Sequence, residues 1–110
     1  MAKQRVYSKY AQEAAMLMGK QIKLGRKQRE WSAQSLADRA GISRSTLQKI
    51  ENGEMSSAIG LVFEVASLVD IMLFEPARMP ISKSIEHTQD KIALLPQRVK
   101  ASSQEFFDDF

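Results

Sequence analysis

Apolar residues recur at spacings of three and four positions in four segments of the chain, which places them on one face of a helix. In the first segment, for example, Met18 and Ile22 share one face while Lys20 and Lys23 lie on others. The patterns predict four helices, at residues 8–29, 33–40, 44–52 and 58–68.

The second and third of these helices are short and are separated by a tight turn. Ser32 and Ser43 each stand just before a helix, where a hydroxyl can accept hydrogen bonds from the free amides of the first turn. Gly41 and Gly53 stand just after the helices, and glycine adopts the left-handed backbone of a helix end without steric cost. The segment therefore predicts two helices folded across a sharp turn.

The apolar residues of these two helices face each other, which leaves a polar outer face on the second. The inward set comprises Leu36, Ala37, Ala40, Ile42, Leu47 and Ile50. The outward set consists of Arg44, Ser45, Gln48 and Lys49, which can all donate hydrogen bonds. This arrangement is typical of the recognition helix of a helix-turn-helix, so we expect the outward set to contact DNA bases. Arg44 is the first candidate for a two-point contact with guanine.

The order and spacing of these residues resemble the lambda-repressor/Cro-like (Xre) helix-turn-helix family over residues 18–71. The matching residues are Leu36-Ala37, Gly41-Ile42-Ser43, Thr46-Leu47 and Ile50-Glu51-Asn52-Gly53. The resemblance implies an all-α domain of four to five helices that binds double-stranded DNA. Ala33 and Ser57 depart from the family, which commonly has glutamine and often proline there; we expect Ser57 to cap the fourth helix.

Further site residues are predicted from the same family resemblance and from the positions of the helix ends. Arg26 falls where the family has an arginine that pairs with the glutamate at the end of the recognition helix, here Glu51, so we expect a structural ion pair. We also expect contacts with the DNA backbone, where the amides at a helix N-terminus add favourable dipoles. The candidates are Gln34, Ser35, Arg39 and Ser43, together with Thr46, which either packs inside the domain or contacts a phosphate. We expect Trp31 to pack against the core rather than to stack on a base.

An apolar run follows the fourth helix and ends at Pro76; its centre is Ile71, Met72, Leu73 and Phe74. A run of this length favours a short β-strand. Because a lone strand has unpaired edges, its simplest partner is the same strand in a second copy, which predicts a homodimer and a palindromic operator. The alternative is a short buried helix that closes a monomeric domain.

This ending, together with Tyr7-Ser8 and Trp31-Ser32, resembles the HipB-type antitoxins. The resemblance implies a repressor that regulates its own operon and neutralises a HipA-like serine/threonine kinase toxin. The alternative function is that of a free-standing Xre-type repressor without a toxin partner.

Charge divides the chain in two. Residues 1–53 contain eleven Lys and Arg against four Asp and Glu, whereas residues 54–110 contain five against nine. The basic half includes the predicted recognition helix, as binding to phosphates requires.

The chain is predicted to have three parts. These are a basic arm at 1–7, which either contacts DNA or has no role, a DNA-binding and dimerisation domain at 8–76, and a flexible C-terminal extension at 77–110. The three phenylalanines at 106–110 suit an anchor on a partner or a site for proteolysis, or they belong to a disordered tail that aids solubility.

The residues needed for catalysis or metal binding are scarce. The chain has no cysteine and one histidine, His87, in the extension. We therefore expect no cofactor, no metal site and no enzymatic activity. Because the sequence shows neither a secretion signal nor the run of about 20 apolar residues that crosses a bilayer, we expect a cytoplasmic protein.

Overall fold

The computed structural model of the chain describes residues 5–74 and 80–97, which belong to two units divided between Glu75 and Pro76. The first unit contains α1 (Lys9–Gln28), α2 (Ala33–Ala40), α3 (Arg44–Glu51) and α4 (Ile59–Leu68). The second contains α5 (Ile81–Ala93). All regular secondary structure in the described ranges is helical, which confirms the all-α prediction and the four to five helices.

Serine caps begin the first three helices, including the two predicted at Ser32 and Ser43. In each case the serine Oγ accepts a hydrogen bond from the amide three residues later: Ser8 from Ala11 at 3.1 Å, Ser32 from Ser35 at 3.0 Å and Ser43 from Thr46 at 3.0 Å. Gly41 ends α2 with φ of 71°, in the left-handed region that the sharp turn requires.

The start of α4 differs from the prediction. Ala58 occupies the N-cap position and makes no side-chain cap, so the expectation that Ser57 caps this helix is wrong. Ser57 lies one residue too early to reach the amides of the first turn. Its Oγ is buried and has no hydrogen-bond partner in the part of the chain that the structure describes.

The core of the first unit lies between its four helices. Ile22 of α1, Leu36 of α2, Leu47 of α3 and Val65 of α4 are fully buried there. The smaller side chains around them are also buried: Ala37, Ile50, Ala66 and Val69. The predicted inward set includes Leu36, Ala37, Leu47 and Ile50. The apolar spacing of α4 likewise predicts a buried side made of Ile59, Val62, Phe63, Val65, Ala66 and Val69, but Ile59 is 69% exposed.

Two glycines let α1 approach its neighbours closely. A Cβ atom on Gly19 would lie 2.5 Å from the carbonyl oxygen of Glu51 and 2.6 Å from that of Ile50, so α1 and α3 cross with their backbones nearly touching. A Cβ atom on Gly25 would lie 2.9 Å from the Cβ of Val69. This close packing explains why α1 contains glycine despite its cost of about 1 kcal/mol relative to alanine.

Residues 71–74 form neither the predicted strand nor the alternative short helix. The Ile71 amide donates a hydrogen bond to the Ala66 carbonyl, which completes the turn after α4. Phe74 packs its ring edge-on against Phe63, with the ring centroids 6.4 Å apart. The structure of the single chain therefore does not support the predicted strand, because residues 71–74 make no strand pairing within the described ranges.

The second unit has a helix where a weakly structured extension was expected. Pro80 stands at the N-cap of α5, and Ile81, Ile85 and Ile92 recur at spacings of four and seven residues. No residue of α5 is buried. Residues 1–4 of the predicted arm and the aromatic C-terminus lie outside the described residues.

None of the helices in residues 5–74 and 80–97 has the length and apolar character needed to cross a bilayer.

Candidate nucleic-acid interface

The exposed face of α3 carries the four residues predicted to contact bases. Leu47 and Ile50 point into the core, which turns the opposite side of this eight-residue helix toward solvent. The side chains on that side are all exposed: Arg44, Ser45, Gln48 and Lys49. Packing of the apolar positions therefore determines which side chains α3 offers to a ligand.

Four of the predicted backbone contacts lie at the N-termini of α2 and α3, and the fifth, Arg39, lies in the last turn of α2. The Ser43 hydroxyl donates to Thr46 Oγ1 at 2.8 Å, and the Gln34 side-chain amide donates to Asp38 Oδ1 at 2.8 Å. Gln34, Arg39 and Ser43 are exposed, whereas Ser35 and Thr46 are partly buried. Three of the five predicted residues are thus open to solvent.

A depression of about 620 Å³ lies where α1, the start of α2 and α3 meet. Lys23 and Lys27 of α1 line it, together with Arg44 and Gln48 of α3 and Asn52 at its C-cap. The three cations make this a site that attracts phosphate. Lys23, Lys27 and Asn52 were not among the predicted site residues, although the four-residue spacing of the two lysines already placed them on one side of α1.

Arg26 and Glu51 also line the depression and make the ion pair expected at these positions. Arg26 Nε donates to Glu51 Oε2 at 2.8 Å and Nη2 donates to Oε1 at 3.0 Å. Arg26 Nη1 also donates to the Trp31 carbonyl at 3.1 Å. The hydrogen bonds with Glu51 raise the pKa of Arg26 above its ordinary value, against the opposing effect of burial.

This pairing has an electrostatic consequence for the depression. The two side chains are only 10% and 6% exposed, and their opposite charges offset each other. The positive potential of the depression therefore arises from Lys23, Lys27 and Arg44.

Trp31 is partly buried and packs against the core, in agreement with the prediction that it is a core residue. The guanidinium carbon of Arg39 lies 4.1 Å from the centre of the indole ring, and that of Arg29 lies 5.8 Å from it. The Arg39 contact is a cation–π interaction that joins the last turn of α2 to Trp31, which precedes this helix.

Within residues 5–74 and 80–97, no group of three or more His, Cys, Asp or Glu side chains is placed to hold a metal ion.

Comparison with models of protein families matches residues 22–71 to a helix-turn-helix family. The match begins at Ile22 in α1, includes α2, α3 and α4, and ends at Ile71. A search of curated proteins found no match to the chain.

Proposed function

We propose that the protein is a sequence-specific DNA-binding transcriptional repressor of the Xre/lambda-repressor-like type, and the match of residues 22–71 to a helix-turn-helix family supports this proposal. The observation that carries this proposal is the exposed polar face of α3 beside a basic depression. Hydrogen-bond donors on a helix read base edges, and nearby cations bind the phosphates that position the helix.

In the proposed complex, α3 lies in the major groove. Arg44 donates two hydrogen bonds to a guanine, and Ser45, Gln48 and Lys49 contact neighbouring base edges. Lys23 and Lys27 bind phosphates at the edge of the groove, since they share the depression with Arg44 and Gln48. The function is binding, without catalysis or a cofactor.

We propose that two copies bind one operator. A twofold-symmetric dimer requires a palindrome with half-sites separated by roughly 34–36 Å, about one turn of DNA. The contact between copies uses residues 71–74, paired as antiparallel strands. Met72 and Phe74 support this choice, because these large apolar side chains are 70% and 64% exposed in the single chain.

A more specific role is that of an antitoxin, which represses its own operon and neutralises a HipA-like serine/threonine kinase toxin. Its support is the HipB-like combination of Tyr7-Ser8, Trp31-Ser32 and the apolar run at 71–74. The exposed isoleucines of α5 add an apolar surface beyond the helix-turn-helix domain. The alternative is a free-standing Xre-type repressor with no toxin partner.

The DNA-binding proposal is tested by footprinting on the DNA upstream of the protein's own gene. We expect protection of a palindrome, with two protected segments about one helical turn apart. Protection that does not depend on sequence, or of a single half-site only, would contradict the repressor dimer.

The antitoxin proposal is tested by co-purification from the native cells, with the full chain and a variant truncated after Pro76 as parallel baits. A kinase that co-purifies with the full chain supports the antitoxin role, and its loss on truncation places the contact in residues 77–110. The truncated variant must still bind the operator, which serves as the control for folding. Recovery of the protein without a kinase leaves the free-standing repressor.

A further inference from the structure

The long helix α1 has three distinct faces. One is buried and includes Gly19 and Ile22, and a second carries Lys23 and Lys27 beside the recognition helix. The third, here called the outer stripe, consists of exposed residues: Tyr10, Ala14, Leu17, Gln21 and Leu24. Tyr10 is 84% exposed, Leu17 58% and Leu24 57%, which is unusual for three large apolar side chains in one row.

The spacing within the outer stripe is that of a coiled-coil seam. Its residues alternate by four and three positions, which gives a repeat of 3.5 residues and keeps the row facing a partner helix. Because α1 is already packed against α3 and α4, its helix needs no further ordering when it binds a partner.

We propose that the outer stripe binds the outer stripe of a second copy in an antiparallel orientation. A twofold axis midway between Ala15 and Met16 places Ala14 of each copy opposite Leu17 of the other, so that a small side chain faces a large one. The same axis places Tyr10 opposite Gln21. The contact is isologous: both copies use the same surface.

Charge complementarity supports a second copy of the chain as the partner and an antiparallel orientation of the two α1 helices. Glu13 and Lys20 flank the same edge of the stripe, seven residues apart. In the antiparallel pair, Glu13 of one copy comes within reach of Lys20 of the other, and the twofold axis produces the ion pair twice. In a parallel pair, Glu13 faces Met18 and Lys20 faces Gly25, which gives no attraction.

This surface is separate from those used in the proposed function. The stripe lies roughly 100 to 140° around the α1 axis from Lys27 and Lys23, so it leaves the basic depression open to DNA. It also shares no residue with the 71–74 segment. The proposal therefore goes beyond the repressor dimer, and its failure would leave DNA binding and the 71–74 contact unaffected.

The first test compares the solution mass of the full chain with that of Leu17→Glu by light scattering and sedimentation. Because Leu17 is buried twice in the symmetric contact, we expect the dissociation constant of self-association through α1 to rise at least about tenfold and the average particle mass to fall to that of the species held by the 71–74 contact alone. Met16→Glu is the matched control, since Met16 is an apolar residue of the same helix, 47% exposed and outside the stripe.

A mass that does not respond to Leu17→Glu, or that responds equally to Met16→Glu, overturns the proposal. Both variants alter exposed side chains, so we expect their circular dichroism and thermal unfolding to match those of the parent protein.

The second test exchanges the charges and checks the orientation. Glu13→Lys places two cations together, and Lys20→Glu places two anions together, so each is expected to weaken self-association about fivefold at low salt. The double variant, Glu13→Lys with Lys20→Glu, restores both ion pairs and is expected to recover the parent affinity. Failure of the double variant to recover overturns the antiparallel arrangement.

Discussion

Arg26 and Glu51 are 25 residues apart in the sequence and join α1 to the end of α3 through two hydrogen bonds of 2.8 and 3.0 Å. The close backbone approach at Gly19 adds a second attachment near the same end of α3. Together these contacts hold the recognition helix against α1, so that its polar face keeps a constant orientation toward DNA. Removal of either contact tests how α3 is held.

Replacement of Glu51 by glutamine is expected to lower the free energy of unfolding by about 3 kcal/mol. The substitution leaves the Arg26 guanidinium buried without its counter-charge. Urea unfolding measures the change. Asp70→Asn is the matched control: Asp70 pairs with Arg29 at 2.7 Å but its side chain is 84% exposed, so we expect a loss below about 1 kcal/mol. Equal effects of the two substitutions would contradict a structural role for the buried pair.

The same pair predicts how this loss depends on pH. Because the pKa of Arg26 is raised on folding, its contribution is fully present below the ordinary arginine pKa and is lost only as pH rises through the raised value. We expect the difference in unfolding free energy between the parent protein and Glu51→Gln to stay constant from about pH 7 to about pH 9. A difference that shrinks in this window would show that Arg26 loses its proton far below the expected range.

The glycines of α1 and α4 are expected to respond oppositely to alanine. Gly19→Ala brings a Cβ atom against the backbone of α3, which cannot move aside as a side chain could, so we expect a loss of at least about 2 kcal/mol. Gly60→Ala is the matched substitution in α4, where a Cβ would meet nothing within 4 Å; we expect a gain of about 0.5–1 kcal/mol. Thermal or urea unfolding of both variants checks this, and a tolerated Gly19→Ala would contradict the close crossing.

Lys23 and Lys27 are expected to contribute affinity without sequence preference. Replacement of either by alanine should weaken binding to operator and to unrelated DNA alike and reduce the slope of log affinity against log salt by about one. Titrations at several salt concentrations measure this. Lys83→Ala in α5 is the control, because it removes an exposed lysine from the second unit, outside the helix-turn-helix domain. Lys83 is 61% exposed and pairs with Glu86. If the slope of log affinity against log salt did not change, Lys23 and Lys27 would not contact DNA phosphates, and the depression would lie outside the DNA interface.

Local chemistry explains which features were predictable from the sequence. Caps, apolar spacing and Gly41 act within a few residues, so the first four helices and the eight-residue core follow from the pattern. The Arg26–Glu51 pair was expected through a family resemblance, since no local rule links residues 25 positions apart.

Other features depend on the packed structure. Ser57 stands close to a helix start, but a shift of one residue in that start leaves its hydroxyl unable to cap. The grouping of Lys23 and Lys27 with Arg44 requires α1 to cross α3 closely, which becomes apparent only once Gly19 is seen against the α3 backbone. The run at 71–74 satisfied the pattern of a strand, yet a strand needs a partner, and a single chain offers none in its described residues.

The central claim is that α3 reads DNA sequence through Arg44. The most direct test is selection from a pool of random double-stranded DNA by the parent protein, Arg44→Ala and the control Lys83→Ala. We expect the parent and the control to enrich the same palindrome, and Arg44→Ala to lose preference at one base pair in each half-site, a discrimination of about 1–3 kcal/mol. An Arg44→Ala variant that enriches the parent sequence with the same preference at every position would contradict the claim.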